Sequence, residues 1–139
     1  MSSLVLDASI ALSWCFEEEA NAYADAALDA LSTGNAVVPA LWALEVANVL
    51  AIAVRKGRIT DKVMHERLSF LQDLPIEVEH VSIDGVFGQV VDLATAHALT
   101  AYDASYLAVA LKRALPLATS DERMRGAAKK LGVALFAPK

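Results

Sequence analysis

Cysteine is almost missing: Cys15 is the only one in 139 residues, so no internal disulfide can form and the core must hold the fold. Long apolar runs are missing too. Glu45, Asn48 and Arg55 interrupt the best candidate, which leaves nothing near the roughly 20 apolar residues of a membrane span. No basic region precedes the first apolar segment and Asp7 falls inside it, so no signal peptide is expected. Four prolines and six glycines are too few and too scattered to form a linker, and no repeat or low-complexity tract is present. A single domain over residues 1–139 and a cytoplasmic setting are the resulting expectations. Positive charge is also scarce, with twelve Lys and Arg against seventeen Asp and Glu for a net charge of −5. An acidic domain is a poor general binder of nucleic acid, unless some of its acids hold cations.

What the chain has in quantity is apolar residues, 56% of the total at a mean hydropathy of +0.43. That is enough for a generous core, with some apolar surface left for a partner. Leu4-Val5-Leu6 is a short run without alternation, the pattern of a central parallel strand buried on both faces. Ala36-Val37-Val38, Val78 to Val81 and Leu117-Ala118-Thr119 read as further strands, with Val133 to Phe136 as a last edge strand. Helices are expected from near Ala8, over Phe16 to Thr33, Leu41 to Lys56, Thr60 to about Leu74, Gly85 to Ala98, Tyr102 to Ala114 and Ser120 to Leu131. Strands alternating with helices predict a three-layer α/β/α sandwich around a mostly parallel sheet.

Four acids follow one rule within that frame. Asp7 and Asp121 come directly or nearly directly after a strand. Asp103 opens a helix inside Thr100-Ala101-Tyr102-Asp103, which has the form of a capping box, and Glu45 lies one turn into the helix after the second strand. All four can face the carboxyl edge of the sheet, where open α/β proteins bind their ligands. Asp7, Asp103 and Asp121 each also have a plain reading as helix-start acids. Glu45 is harder to explain that way: its neighbours Leu41, Trp42, Leu44, Val46 and Val49 are apolar, and a carboxylate there needs a partner, a distant Arg being one candidate. Asn48 shares its face at i+3. Several carboxylates in one crevice repel each other and require cations or protons, and oxygen ligands without His or Cys favour Mg²⁺ or Mn²⁺ over zinc.

Leu6-Asp7-Ala8-Ser9, Glu45 with Asn48, Thr100-Ala101-Tyr102-Asp103-Ala104-Ser105-Tyr106-Leu107 and Ala118-Thr119-Ser120-Asp121-Glu122-Arg123 together resemble the PIN domain of VapC-type toxins, from Leu4 to about Phe136. The resemblance implies a Mg²⁺- or Mn²⁺-dependent endoribonuclease, the toxin of a prokaryotic toxin–antitoxin pair, held in check by a small antitoxin and usually a homodimer. Carried over by position, Asp7, Glu45 and Asp103 match the metal-holding acids and Asp121 the fourth, more variable one. Ser9 and Thr119 match the hydroxyl positions beside them, and Asn48 the polar companion of the helix acid. One or two metal ions fit this set equally well.

RNA would have to be held by local cations, and Arg123 and Arg125 are nearest in sequence to Asp121. Trp14, Phe16 and Trp42 suggest a docking place for an antitoxin helix, against ordinary burial. His65, His80 and His97 belong to no recognisable nucleophilic triad. Tyr102 and Tyr106, at i and i+4, read first as core, with packing beside the site as the alternative. Two other readings remain: a doubly wound phosphohydrolase, which would want an acid where Ser9 stands, and a catalytically silent PIN-like interaction module.

Overall fold

The computed structural model describes residues 3–138. Four strands, β1 (Ser3–Leu6), β2 (Asn35–Pro39), β3 (Ile76–Glu79) and β4 (Leu117–Ala118), form one parallel sheet in the order β3-β2-β1-β4. Leu4, Val5 and Leu6 are at most 1% exposed, as an unalternated apolar run in a central strand should be. The chain lays β1, β2 and β3 side by side and then returns to place β4 on the free side of β1. The strand order therefore reverses between β1 and β4.

Parallel pairing needs crossovers, and the helices supply them: α1 (Ala8–Cys15), α2 (Ala22–Ala30), α3 (Leu41–Arg55), α4 (Asp61–Gln72), α5 (Ile83–Gly85), α6 (Val91–His97), α7 (Ala101–Arg113) and α8 (Glu122–Leu131). Helix α7 lies across β1, β2 and β4 on one face and packs against α6 and α8; α1 packs against α2 and α3, and α3 against α4, over the other. Strand β3 shows the division by its alternation. Glu77 and Glu79 point to Arg113 on the α7 side, while Ile76 and Val78 line a groove with Trp42, Val46, Leu68 and Leu71 from α3 and α4. This is the expected three-layer α/β/α sandwich.

Several local expectations need correction. The stretch from Phe16 to Thr33 is not one helix: Glu17–Glu19 form a 3₁₀ turn, and α2 starts only after Asn21, whose side chain accepts from Ala24 N at 2.8 Å. The helix expected over Gly85 to Ala98 is interrupted by a π-helical turn at Val86–Val90. Strand β3 sits two residues earlier than its apolar pattern suggests, beginning directly after Pro75, whose carbonyl accepts from Ala36 N. The last strand is reduced to a lone bridge between Leu117 and Leu135. Helix α8 begins at Glu122 rather than Ser120 because Asp121 caps it.

Trp14, Phe16 and Trp42 do not form an exposed docking patch. Phe16 and Trp42 are buried, with the Arg58 guanidinium lying 3.9 Å from the centre of the Phe16 ring. Trp14 is half-buried and its indole N–H donates to the Ala24 carbonyl at 2.8 Å. Among the described residues, no helix is long and apolar enough to cross a membrane.

Candidate active site

The reversal of strand order between β1 and β4 opens a crevice beyond their carboxyl ends, the usual place for a ligand in such sheets. Asp7 leaves β1 there with its N–H bonded to the Ala118 carbonyl at 3.0 Å, so the ends of the two strands are tied together at this point. It occupies the cap position before α1, yet its side chain caps nothing. Instead Oδ2 accepts from Ser9 Oγ at 2.6 Å and from Thr119 Oγ1 at 2.7 Å. The helix-cap reading of Asp7 is thereby excluded. Ser9 and Thr119 are the hydroxyls that hold it, and Thr119 is fully buried after β4.

Asp121 follows two residues later. Its N–H donates to Thr119 Oγ1 at 3.0 Å and its Oδ1 accepts from Met124 N at 3.0 Å, so this acid caps α8 and still stands beside Asp7. Asp103 enters from α7, where Thr100 Oγ1 accepts its N–H at 3.0 Å and fixes the first turn. Glu45 reaches in from α3, and no arginine neutralises it. Its Oε1 accepts from Tyr106 Oη at 2.6 Å. Asn48, a turn further along α3, is exposed.

Electrostatics bind these positions into one site. Burial pushes the Asp7 carboxyl above the ordinary carboxylate range, against the lowering effect of its two hydroxyl donors, and the charge of Asp121 adds to the rise. Burial likewise raises Glu45, with the Tyr106 hydrogen bond opposing it and the charges of Asp7 and Asp103 reinforcing it. Asp103 is raised by burial and then by Asp121 and Asp7. Among the described residues none of the four acids forms an ion pair. These carboxylates raise one another's proton affinity, and none has a cationic partner among the described residues.

The chemistry of this donor set fits a hard divalent cation: oxygen only, strongly negative, and placed where a strand-end crevice admits solvent. The set is open rather than closed. Among the described residues, no three His, Cys, Asp or Glu side chains converge tightly enough to surround one ion. Glu45 is tethered toward Tyr106 and Asp121 toward its helix cap, which spreads the acids around the rim.

Tyr106 was legible only in part. Its position in the apolar run Ala104 to Ala110 marks it as core, and it is fully buried while Tyr102 is 66% exposed. A buried phenol needs a hydrogen-bond partner, and so does a carboxylate in an apolar helix face. Those two unmet needs are the signal that the sequence offers, but by themselves they do not say which of the three tyrosines meets which carboxylate. Burial and the Glu45 bond both push the phenol up, which keeps it a neutral donor.

Of the two arginines expected near substrate, Arg125 is committed inside the fold: Nη1 donates to the Thr119 carbonyl at 2.9 Å and the guanidinium lies 5.3 Å from the Tyr23 ring centre. Arg123 is exposed. A concavity of about 960 Å³ lies at the opposite, amino-terminal edge of the sheet among Ser3, Leu4, Ala30, Leu115 and Phe136, with Asp29 as the one ionisable residue in its lining. The acids, not this hollow, identify the site.

A family model of the PIN domain matches residues 4–130, and the chain belongs to that family. No curated protein matches its sequence. Among solved structures it is similar to FitAcB from Neisseria gonorrhoeae, at 20% identity and TM-score 0.67 over 97% of each chain. It is also similar to VapC20 of Mycobacterium tuberculosis, described as a sarcin–ricin loop cleaving toxin, at 16% identity and TM-score 0.67 over 97% of this chain and 99% of that one. A third is a toxin–antitoxin complex from Klebsiella pneumoniae, at 19% identity and TM-score 0.58 over 85% and 86%. At these identities what is shared is the fold.

Proposed function

We propose that this PIN domain is a Mg²⁺- or Mn²⁺-dependent endoribonuclease, the toxin of a type II toxin–antitoxin pair, with an antitoxin protein as its partner and a homodimer as its working form. One observation supports the catalytic part of this reading. Asp7, Glu45, Asp103 and Asp121, from four separate segments, feel one another's charge, and none of them is in an ion pair among the described residues. The toxin and antitoxin parts draw on the described roles of the structural neighbours, one of which is described as a sarcin–ricin loop cleaving toxin and another of which is a toxin–antitoxin complex.

Asp7, Glu45 and Asp103 would hold the metal once their side chains turn toward it, since as they stand no three of the described acids converge on one point, and Asp121, with one carboxylate oxygen left over from capping α8, would hold a second ion or orient water. When bound, the metal lowers the pKa of water and offsets charge developing on the phosphate. The chain's own contribution is placement. Ser9 and Thr119 bond to Oδ2 of Asp7 and leave Oδ1 to face the ligand. Tyr106 takes Oε1 of Glu45 and leaves Oε2 free to turn inward. Hydrogen-bonded ligand carboxylates of this kind are held in orientation by their outer partners.

The open arrangement of the acids favours one rival, a catalytically silent PIN-like module. The deciding experiment incubates purified protein with RNA in Mn²⁺, in Mg²⁺ and in EDTA, beside Asp7→Asn. Cleavage that needs the metal and is lost in the variant supports the nuclease. RNA left intact by the wild-type protein in both metals overturns it.

A further inference from the structure

Beside the acid crevice lies a second concavity, about 400 Å³, between the end of α6 and the outer face of α8. Arg123, Gly126, Ala127 and Lys130 line it at i, i+3, i+4 and i+7, so the small residues form the floor and the two cations stand at its ends. His97 and Ala98 form the facing wall, where Ala98 turns the chain through a left-handed conformation (φ 53°). Glu122 is the single acid on its rim.

Three features separate this cleft from an ordinary solvated helix face. Arg123 and Lys130 are in no ion pair among the described residues, whereas Arg58, Lys112 and Arg113 are each matched by carboxylates. The floor is empty by construction, since a Cβ at Gly126 would meet nothing within 4 Å. Both walls run straight into the site: Ala98 leads through Thr100 to Asp103, and Arg123 follows Asp121 by two residues.

We infer that this cleft seats the phosphodiester backbone of the RNA that flanks the bond being cut, with Arg123 and Lys130 contacting its phosphates. The inference rests on the ribonuclease reading above and goes further by giving an acidic protein a local means of holding a polyanion. A strand that leaves the acid crevice along α8 meets complementary charge in this cleft, where two cations line the walls against the single acid Glu122. Arg125, bonded to the Thr119 carbonyl, plays no part.

The test uses the full chain in an Asp7→Asn background, so that RNA is bound but not cut, and a labelled mixed-sequence single-stranded RNA as probe, titrated at several salt concentrations. Arg123→Ala with Lys130→Ala lowers affinity and flattens the dependence of log K on log salt by about 1.4, since each single-strand phosphate contact contributes about 0.7. Lys62→Ala with Lys129→Ala removes the same charge outside the cleft and leaves both quantities near those of the parent. Gly126→Leu keeps every charge and fills the floor; it too weakens binding, while its circular dichroism melt confirms the fold. Equal losses from the two double variants, or none from the first, overturn the assignment. Cleavage by the protein without these changes is measured in parallel. If it cleaves while the cleft variants bind normally, only the cleft is wrong; if it neither cleaves nor binds, the ribonuclease reading falls as well.

Discussion

Two groups of acids in this molecule use the same residue types to opposite ends. At the outer edge of the sheet, Glu77 and Glu79 of β3 meet Lys112 and Arg113 of α7, with Arg113 Nε 2.6 Å and Lys112 Nζ 2.9 Å from Glu79 and a second Arg113 nitrogen on Glu77. These cations hold the Glu79 carboxyl below its ordinary range. At the β1–β4 junction, Asp7, Glu45 and Asp103 have only hydroxyl or phenol donors, and burial and mutual charge hold all three above that range. The first group is complete in itself and ties a strand to a helix. The second is left short of positive charge, and a protein keeps such a deficit where a ligand supplies it.

Breaking the deficient group has the largest expected effect. Asp7→Asn keeps a carbonyl to accept from Ser9 or Thr119 but removes one of the site's four carboxylates, and RNA cleavage in Mn²⁺ falls at least about 100-fold, since even outer partners of metal ligands are worth about 10–100-fold. Tyr106→Phe comes next. It removes one hydroxyl from a fully buried position, leaves Glu45 Oε1 without its 2.6 Å donor and weakens Mn²⁺ binding, read by calorimetry, about 10-fold or more.

Stability against pH sharpens the comparison in a different way. A carboxyl raised in the folded state binds its proton there more tightly than in the unfolded chain, so its contribution is fully present below the ordinary carboxylate value and is lost as pH rises through the raised folded value. Glu79, lowered in the folded state, does the reverse: its contribution is present above the ordinary carboxylate value and is lost as pH falls through the lowered one. Metal-free protein should therefore lose Tm as pH rises from the ordinary carboxylate range through these raised values, and Asp103→Asn should flatten that loss and raise the Tm above them. The smallest effect belongs to the complete group. Glu79→Gln shifts Tm by less than about 4 °C and leaves Mn²⁺ binding unchanged, since its Lys112 and Arg113 partners stay partly in water although Glu79 itself is mostly covered.

The contrast between the two groups was half legible in the sequence. Asp7 after an unalternated run, Thr100 at a helix start and Glu45 on an apolar face each announce themselves by local chemistry, and the structure puts them on the same edge. What a linear reading misses is partnership across the chain. Nothing near Glu45 in sequence points to Tyr106, 61 residues away, and nothing near Glu79 points to Arg113. The same blindness explains the helix errors. The apolar spacing through Ala20, Ala24 and Ala27 continues across Asn21, but Arg58, arriving from the far end of α3, ties Glu18 and Glu19 into a separate turn and Asn21 restarts the helix. Arg123 and Arg125 looked equivalent until the Thr119 carbonyl claimed one of them.

Thermal melting of the intact protein at neutral pH, with and without Mn²⁺ and beside Asp7→Asn, probes the missing counter-ion itself, independent of any substrate. The ion should stabilise the wild-type fold by about 2.7 kcal/mol when its free concentration exceeds Kd about 100-fold, and the variant far less. An unchanged melting temperature in the wild-type protein, or an equal rise in both, would mean that these carboxylates are not waiting for a metal.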